Sequence, residues 1–502
     1  MPSCSCLPPG IETVVMSIKE KTISGIIWTL AQQTGVQGVN FLVQLCLARI
    51  LLPEAFGLIA IVQIFIAIGN ALMDGGMTAS LIRMEKPDQR DFSTVFFINL
   101  LSSIVFYLIL FIAAPYISEF FKQPLLTPII RIYPISFVIQ ALVGVQTAKL
   151  TKEMNFKLQM YMQIPATFCG GLVGLLLAYT GAGVWSLVWM QLTTAFLFMI
   201  QHWFRTNWRP SFIIDREKLR FHFNFGYKLT LSSLITSIYI HSYTLIIGKL
   251  YSATQLGYFN QANTLRMFPV TNITIALQKV TYPVFSSLQH NNEKLKQAFK
   301  KITSLVFFII CPVMMSLILL ASPLFRFALT EKWLPAVPYF QILCISAIVY
   351  PHSLYNLNIV LAKGRSDLHF KLELLKKGSS VLFFLLIIPF GIWGVVYASA
   401  LSMFIQAFIN ALYSGRMINY SFRSQVLDIM PTVLIATSSM FIVYFLQVFM
   451  DSVANTGDLT KIIFGLFAYF LFYIFMSYFF RIQSMEEMKI IALQLLKKIK
   501  KT

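Results

Sequence analysis

LARILLPEAFGL, Leu47 to Leu58, and IIGKLYSATQLGY, Ile246 to Tyr258, are two versions of one motif. Each closes an apolar run with a single basic residue, Arg49 or Lys249, turns, and re-enters apolar sequence past a glycine, Gly57 or Gly257, at an offset of 200 positions. A second echo agrees with the first. GVWSLV (Gly183 to Val188) matches GIWGVV (Gly391 to Val396) at an offset of 208, each as a very tight hairpin between two apolar runs. Each copy of the repeat holds an even number of crossings, so both halves enter a membrane in the same direction, as parallel repeats about an axis along its normal. Two six-helix lobes with a cavity between them are expected.

Working outward, about fourteen apolar segments follow the same rhythm: 23–50, 55–76, 92–117, 129–150, 157–180, 184–204, 223–250, 255–285, 299–327, 335–361, 368–391, 393–415, 427–449 and 459–480. Each reaches the roughly 20 residues that a helix needs to cross hydrocarbon, and no alternating strand pattern competes. With 57% hydrophobic and 12% charged residues and a mean hydropathy of +0.71, 502 residues cannot hide so much apolar surface in one soluble core. The fold class is an all-α membrane protein. Its expected parts are a leader (1–22), the first lobe (23–204), a basic linker (205–222), the second lobe (223–415), an extra helix pair (416–480) and a basic amphipathic tail (481–502) lying on the cytoplasmic leaflet. The first apolar run is too long for a cleavable signal and lacks a small-residue cleavage site.

The formal charge of +20 is divided into small groups at segment ends, which argues against nucleic acid as a partner. Of 40 Lys and Arg, the external connections hold only Arg49, Lys122, Lys249, Arg326, Lys332 and Lys461. Basic residues resist translocation, so both termini are expected in the cytoplasm. Cys46, Cys169, Cys311 and Cys344 sit singly in apolar spans as small packed hydrophobes. Cys4 and Cys6 lie in the leader without nearby histidines. No metal site or cofactor is expected.

Ionisable groups inside hydrocarbon are costly and usually face a wet cavity. Arg266, in the middle of the eighth span, is the deepest, too far from either surface for easy snorkelling. Lys279 lies further along the same span, Lys376 and Lys377 about two turns into the eleventh, and Lys228 opens the seventh. For the lysines, long stems reaching to the headgroups are the competing explanation. Gln33, Gln37, Asn40 and Gln44 recur at spacings of 4, 3 and 4, which puts them on one helix face. Ser237, His241 and Thr244 do the same in the seventh span. Such stripes also serve helix-to-helix hydrogen bonding, and His241 and His352 read more readily as packing residues than as proton carriers. The 20 acidic residues lie almost wholly in loops, with Asp74 and Glu373 near the cytoplasmic ends of spans. A cavity offering cations and few carboxylates prefers an anionic ligand. An enzyme is not expected: there is no phosphate-binding glycine loop followed by lysine, no paired carboxylate motif and no sizeable loop domain.

Four stretches carry a family resemblance: MDGGMTASLIR (Met73 to Arg83), STVFFINLL (Ser93 to Leu101), GAGVWSLVWMQL (Gly181 to Leu192) and the long run from Ile246 to Gln289. They resemble bacterial polysaccharide transporters of the Wzx type, in the multidrug, oligosaccharidyl-lipid and polysaccharide exporter superfamily, over most of residues 20 to 415. The resemblance implies a flippase that carries an isoprenoid diphosphate-linked oligosaccharide across the bacterial cytoplasmic membrane for O-antigen, capsule or exopolysaccharide assembly. It implies membrane lipids as surroundings, and a glycan polymerase and chain-length machinery as candidate partners. An arginine in this part of the eighth span is a family trait, carried over only to Arg266. Where relatives often show charged residues in the first two spans, this chain has Gln33, Gln37 and Asn40. A cation-coupled drug exporter on the same fold is the first rival reading, and a membrane glycosyltransferase or polysaccharide polymerase the second.

Overall fold

The computed structural model describes residues 9–453 and 456–490, with side chains from Trp28 onward apart from a few positions, Lys279 among them. Among these residues all regular structure is helical. The chain divides into two compact units between Leu256 and Gly257.

The first unit contains α1 (Pro9–Ile50), α2 (Pro53–Asp74), α3 (Met77–Arg83), α4 (Gln89–Phe121), α5 (Leu126–Ile132), α6 (Ile135–Lys152), α7 (Phe156–Tyr179), α8 (Trp185–Arg205) and α9 (Arg216–Leu250). The second runs through α10 (Ala253–Ser287), α11 (Asn292–Leu319), α12 (Ala321–Leu329), a 3₁₀ turn (Glu331–Ala336), α13 (Val337–Ala347), α14 (Tyr350–Ala362), α15 (Ser366–Ile387), α16 (Gly391–Met417), α17 (Phe422–Val453) and α18 (Asp458–Phe479). The repeat is visible in the helix ends. α1 stops at Ile50 and α2 starts at Pro53, while α9 stops at Leu250 and α10 starts at Ala253. Pro53 can open its helix because a first-turn amide has no intrahelical acceptor to lose. At the second echo Gly183 and Gly391 both take left-handed backbone, with φ of 58° and 71°, which a side chain would strain.

Among the described residues ten helical stretches are long and apolar enough to cross a membrane. The remaining expected spans, α1, α8, α10 and α15, all carry polar or charged groups through their middles. α7 is held between α1 and α8 by small residues. A methyl at Gly170 would meet Thr194 Oγ1 at 1.9 Å, and one at Gly171 would meet Val43 at 2.6 Å. Helices packed inside lipid gain little from burying apolar surface, so close backbone approach and dispersion hold them instead.

α9, which the repeat assigns to the second lobe, packs in the first unit against α2, α3 and α4. Its crossing with the α2–α3 turn is backbone on backbone. Gly75 and Gly76 have φ of 55° and 68°, and a methyl at Gly226 would sit 2.1 Å from the Gly75 carbonyl oxygen. The segment expected as a linker, 205–222, is a strap followed by the first turns of α9. Gln89 Nε2 donates to Arg209 O at 2.7 Å and the Trp208 indole donates to Gln89 Oε1 at 2.7 Å. Ser211 N and Asp215 N donate to Ser93 Oγ and Thr94 Oγ1, each at 3.0 Å. Below the strap, buried Asp91 accepts from Lys218 Nζ at 3.0 Å and lies 3.2 Å from His222 Nε2, whose other ring nitrogen is 2.8 Å from Ser80 Oγ. That cluster ties α3, α4 and α9 together.

In the second unit a buried polar ladder joins α14, α16 and α17. His352 Nε2 meets Gln425 Oε1 at 2.8 Å, Asn356 Nδ2 donates to His352 O at 2.9 Å, and Asn410 Nδ2 donates to Ser353 O at 3.0 Å. The extra helix pair packs on the same unit: the Tyr473 hydroxyl donates to Phe308 O at 2.9 Å, and Lys300 pairs with Asp428 at 2.8 Å. Of the basic tail, residues 491–502 lie outside the described residues, as do residues 1–8 of the leader.

Candidate functional site

In the first unit, α2, α3, α6, α7 and α8 line an open cavity of about 500 Å³. Gln140, Gln163, Gln191, Thr147 and Thr194 supply amides and hydroxyls, Ile66, Val143 and Phe198 supply apolar wall, and Lys and Arg are missing from the lining. Asp74, the last residue of α2, brings a carboxylate to it. The Gly75–Gly76 turn folds α3 back over that carboxylate, so Asp74 Oδ1 accepts from Thr78 N at 3.2 Å and from the Thr78 hydroxyl, with Asn99 Nδ2 at 3.5 Å. Ser136 Oγ, also in the lining, is buried and makes no hydrogen bond. A buried polar atom left this way costs about 1 to 3 kcal/mol, which suits a chamber that holds water or ligand. Chemically, the chamber can hydrogen-bond neutral polyhydroxylated groups, or hold a cation at the Asp74 carboxylate.

The cations expected to line a chamber stand elsewhere. Arg266 is indeed deep, with 7% of its surface exposed. Its guanidinium is a clasp between α10 and α13: Nη1 donates to Leu343 O at 3.0 Å and to Ser346 Oγ at 2.8 Å, while Nε and Nη2 donate to Asn263 Oδ1 at 3.0 and 2.8 Å. Lys376 is buried and ion-paired with Glu373, one turn before it, and Lys377 lies 4.0 Å from the same carboxylate. Lys228 is exposed on α9, 5.8 Å from the ring of Tyr227. The Lys279 side chain lies outside the described residues. Gln33 and Gln37 are half-buried on α1, Asn40 is exposed, and His241 is half-buried on α9. The cavity therefore takes its glutamines from α6, α7 and α8 and not from α1. Asp74 is the residue that span-by-span reading underrated, and its signal was an acid directly before a Gly-Gly turn inside apolar sequence.

Relatives of known naming fit this architecture. Lipopolysaccharide biosynthesis protein WzxC of Escherichia coli (strain K12) is 25% identical over 371 residues, 72% of this chain and 74% of that protein. Succinoglycan biosynthesis transport protein ExoT of Rhizobium meliloti (strain 1021) is 25% identical over 335 residues, 66% and 67% of the two chains. Among solved structures, a lipid II flippase MurJ in an inward closed conformation has a TM-score of 0.72 at 13% identity, over 91% of this chain and 99% of its own. A multidrug resistance MATE family transporter, inward-facing, follows at 0.59 and 18%, over 76% and 94%. At such identities the likeness shows the fold, a two-lobed bundle of membrane helices. The family described as polysaccharide biosynthesis protein matches residues 46–338, and this multi-pass membrane protein belongs to it.

Proposed function

We propose that the protein is a flippase that moves isoprenoid diphosphate-linked oligosaccharide across the bacterial cytoplasmic membrane, supplying O-antigen, capsule or exopolysaccharide assembly, with both termini in the cytoplasm. The observation that carries this reading is a cavity among apolar helices whose largely apolar wall is set with glutamines, threonines and one carboxylate, in a chain of the polysaccharide biosynthesis family. Sugars offer many hydroxyls and no net charge, so amide and hydroxyl walls replace their water without a Coulombic penalty. The diphosphate needs cations. Arg266 and the lysines Lys279, Lys228, Lys376 and Lys377 are assigned to it, which requires Arg266 to leave its clasp on α13 during the cycle. Gln33, Gln37, Asn40 and His241 are assigned to the polar path. Outward movement of negative charge gains about 2.3 kcal/mol per charge per 100 mV of inside-negative potential. A glycan polymerase and chain-length machinery are the expected downstream partners, and no catalytic step is assigned to the chain.

One observation favours a second reading. The carboxylate of Asp74 at the cavity wall is what a cation-coupled exporter requires. Purified protein in proteoliposomes separates the two: accessibility of a labelled lipid-linked oligosaccharide on the far leaflet is expected, without efflux of cationic dyes. Dye efflux without lipid movement would replace the flippase by the exporter.

A further inference from the structure

A second polar pocket, of about 260 Å³, lies in the first unit where α6 and α8 end and α7 begins. Lys149 and Arg205, each in the last turn of its helix, line it together with Glu153, Asn155 and Gln146. Lysines and arginines in a final turn commonly just complement the helix dipole, and that explanation leaves Gln146 unaccounted for. Gln146 is 1% exposed, and neither its Nε2 nor its Oε1 has a hydrogen-bond partner. An amide with a donor and an acceptor both idle in a buried wall expects a ligand that can serve both. The two cations are idle as well: among the described residues, neither side chain makes a hydrogen bond or ion pair. Arg209 next to them behaves differently, its guanidinium donating to the carbonyls of Thr206 at 2.7 Å and Trp208 at 2.8 Å and to that of Trp203.

We propose that this pocket binds a phosphate ester carrying an ammonium group, the chemistry of a phosphoethanolamine headgroup. Lys149 and Arg205 meet the phosphate oxygens, Gln146 donates its amide to one of them, and Glu153 faces the ammonium. The site sits at the C-terminal ends of two helices read as membrane spans, where such helices meet the interface, and shares no residue with the cavity at Asp74.

The test uses the full-length protein. Native mass spectrometry after incubation with matched phosphatidylethanolamine and phosphatidylglycerol counts retained lipids, and soluble O-phosphoethanolamine and inorganic phosphate are offered as competitors. Wild type is expected to retain one phosphatidylethanolamine in preference, and the double variant Lys149→Ala/Arg205→Ala to bind it about thirtyfold more weakly, the worth of two interfacial cations. Glu153→Gln should abolish the preference for ethanolamine over glycerol. Gln146→Leu, which keeps volume and buried packing, should also weaken retention and serves if the double variant does not fold. Lys294→Ala, an exposed lysine in the other unit, should change nothing. Displacement by O-phosphoethanolamine alone assigns the same chemistry to a soluble source. Equal retention in wild type, the double variant and Gln146→Leu overturns the proposal.

Discussion

Replacing Asp74 by asparagine separates two jobs that its carboxylate holds at once. Asp74 Oδ1 accepts from the Thr78 amide at 3.2 Å and from the Thr78 hydroxyl, so it caps the first turn of α3. It also gives the cavity its negative charge. Asparagine keeps a side-chain oxygen for the cap and loses only the charge near a helix N-terminus, about 0.3 to 1 kcal/mol. Alanine loses the cap as well, about 1 kcal/mol more. A purely structural Asp74 therefore predicts graded effects: Asp74→Asn close to wild type in both melting and transport, and Asp74→Ala modestly worse in both. A carboxylate that binds a coupling cation predicts a step: both variants melt within those small margins, yet both lose transport driven by an imposed cation gradient. The assay is the initial rate of lipid-linked oligosaccharide flipping in proteoliposomes with and without the gradient, with melting measured on the same preparations. Gradient dependence retained in Asp74→Asn would refute the coupling argument and leave the residue as a cap.

The other predictions address the clasp, the strap and the entry to α4. Arg266→Met, which fills much of the guanidinium's volume, is expected to stay inserted and abundant while flipping falls to background, and Arg266→Lys to recover little because an ammonium lacks the planar fork of donors that meets phosphate oxygens in pairs; wild-type flipping in both would remove Arg266 from the transport cycle. Asp91→Ala leaves buried His222 without its carboxylate, while half-buried Lys218 keeps Asp88 at 3.5 Å, and should cost about 1 to 3 kcal/mol, seen as a lower melting temperature and protease cleavage within 206–222. Asp88 caps α4 by accepting from the Asp91 amide at 2.8 Å, and that bond holds its carboxyl below the usual 3.8. Because the folded value is the lower one, the stabilisation is complete above the ordinary carboxylate range and is lost as pH falls through the folded value. Amide exchange in the first turn of α4 should accelerate only in that acid window, and Asp88→Asn should flatten the response.

The all-helical class and the repeated turns were legible because they depend on local rules: apolar length, a glycine or proline at a turn, and a repeat that places α1/α2 and α9/α10 boundaries 200 positions apart; the breaks of 299–327 into α11 and α12 and of 335–361 into α13 and α14 were not. Arg266 was legible as a deep residue, but its acceptors were not, since Leu343 and Ser346 are 77 and 80 positions away and carry no mark in the sequence. Lys376 and Lys377 could have been read differently. Glu373 stands three and four positions before them, the spacing at which helical side chains meet, so neutralisation within one turn was foreseeable. The strap was hidden because Gln89, Ser93 and Thr94 look like ordinary polar residues until the chain from Trp208 to Asp215 is laid across them. The cavity was hidden because its polar residues are sparse on each helix, Ser136, Gln140 and Thr147 on α6, Gln163 on α7, Gln191 and Thr194 on α8, and nothing within one helix says that these faces meet.

Where α9 passes the turn after α2, main chain meets main chain at Gly75, Gly76 and Gly226. Interlocked side chains resist sliding because rotamers must change before helices can shift, whereas bare peptide offers no teeth to disengage. Fastened one turn away, where Asp91 holds Lys218 and His222, the crossing works as an anchored pivot with no room for growth, and Gly226→Ala is expected to lever the seventh span off the turn after α2.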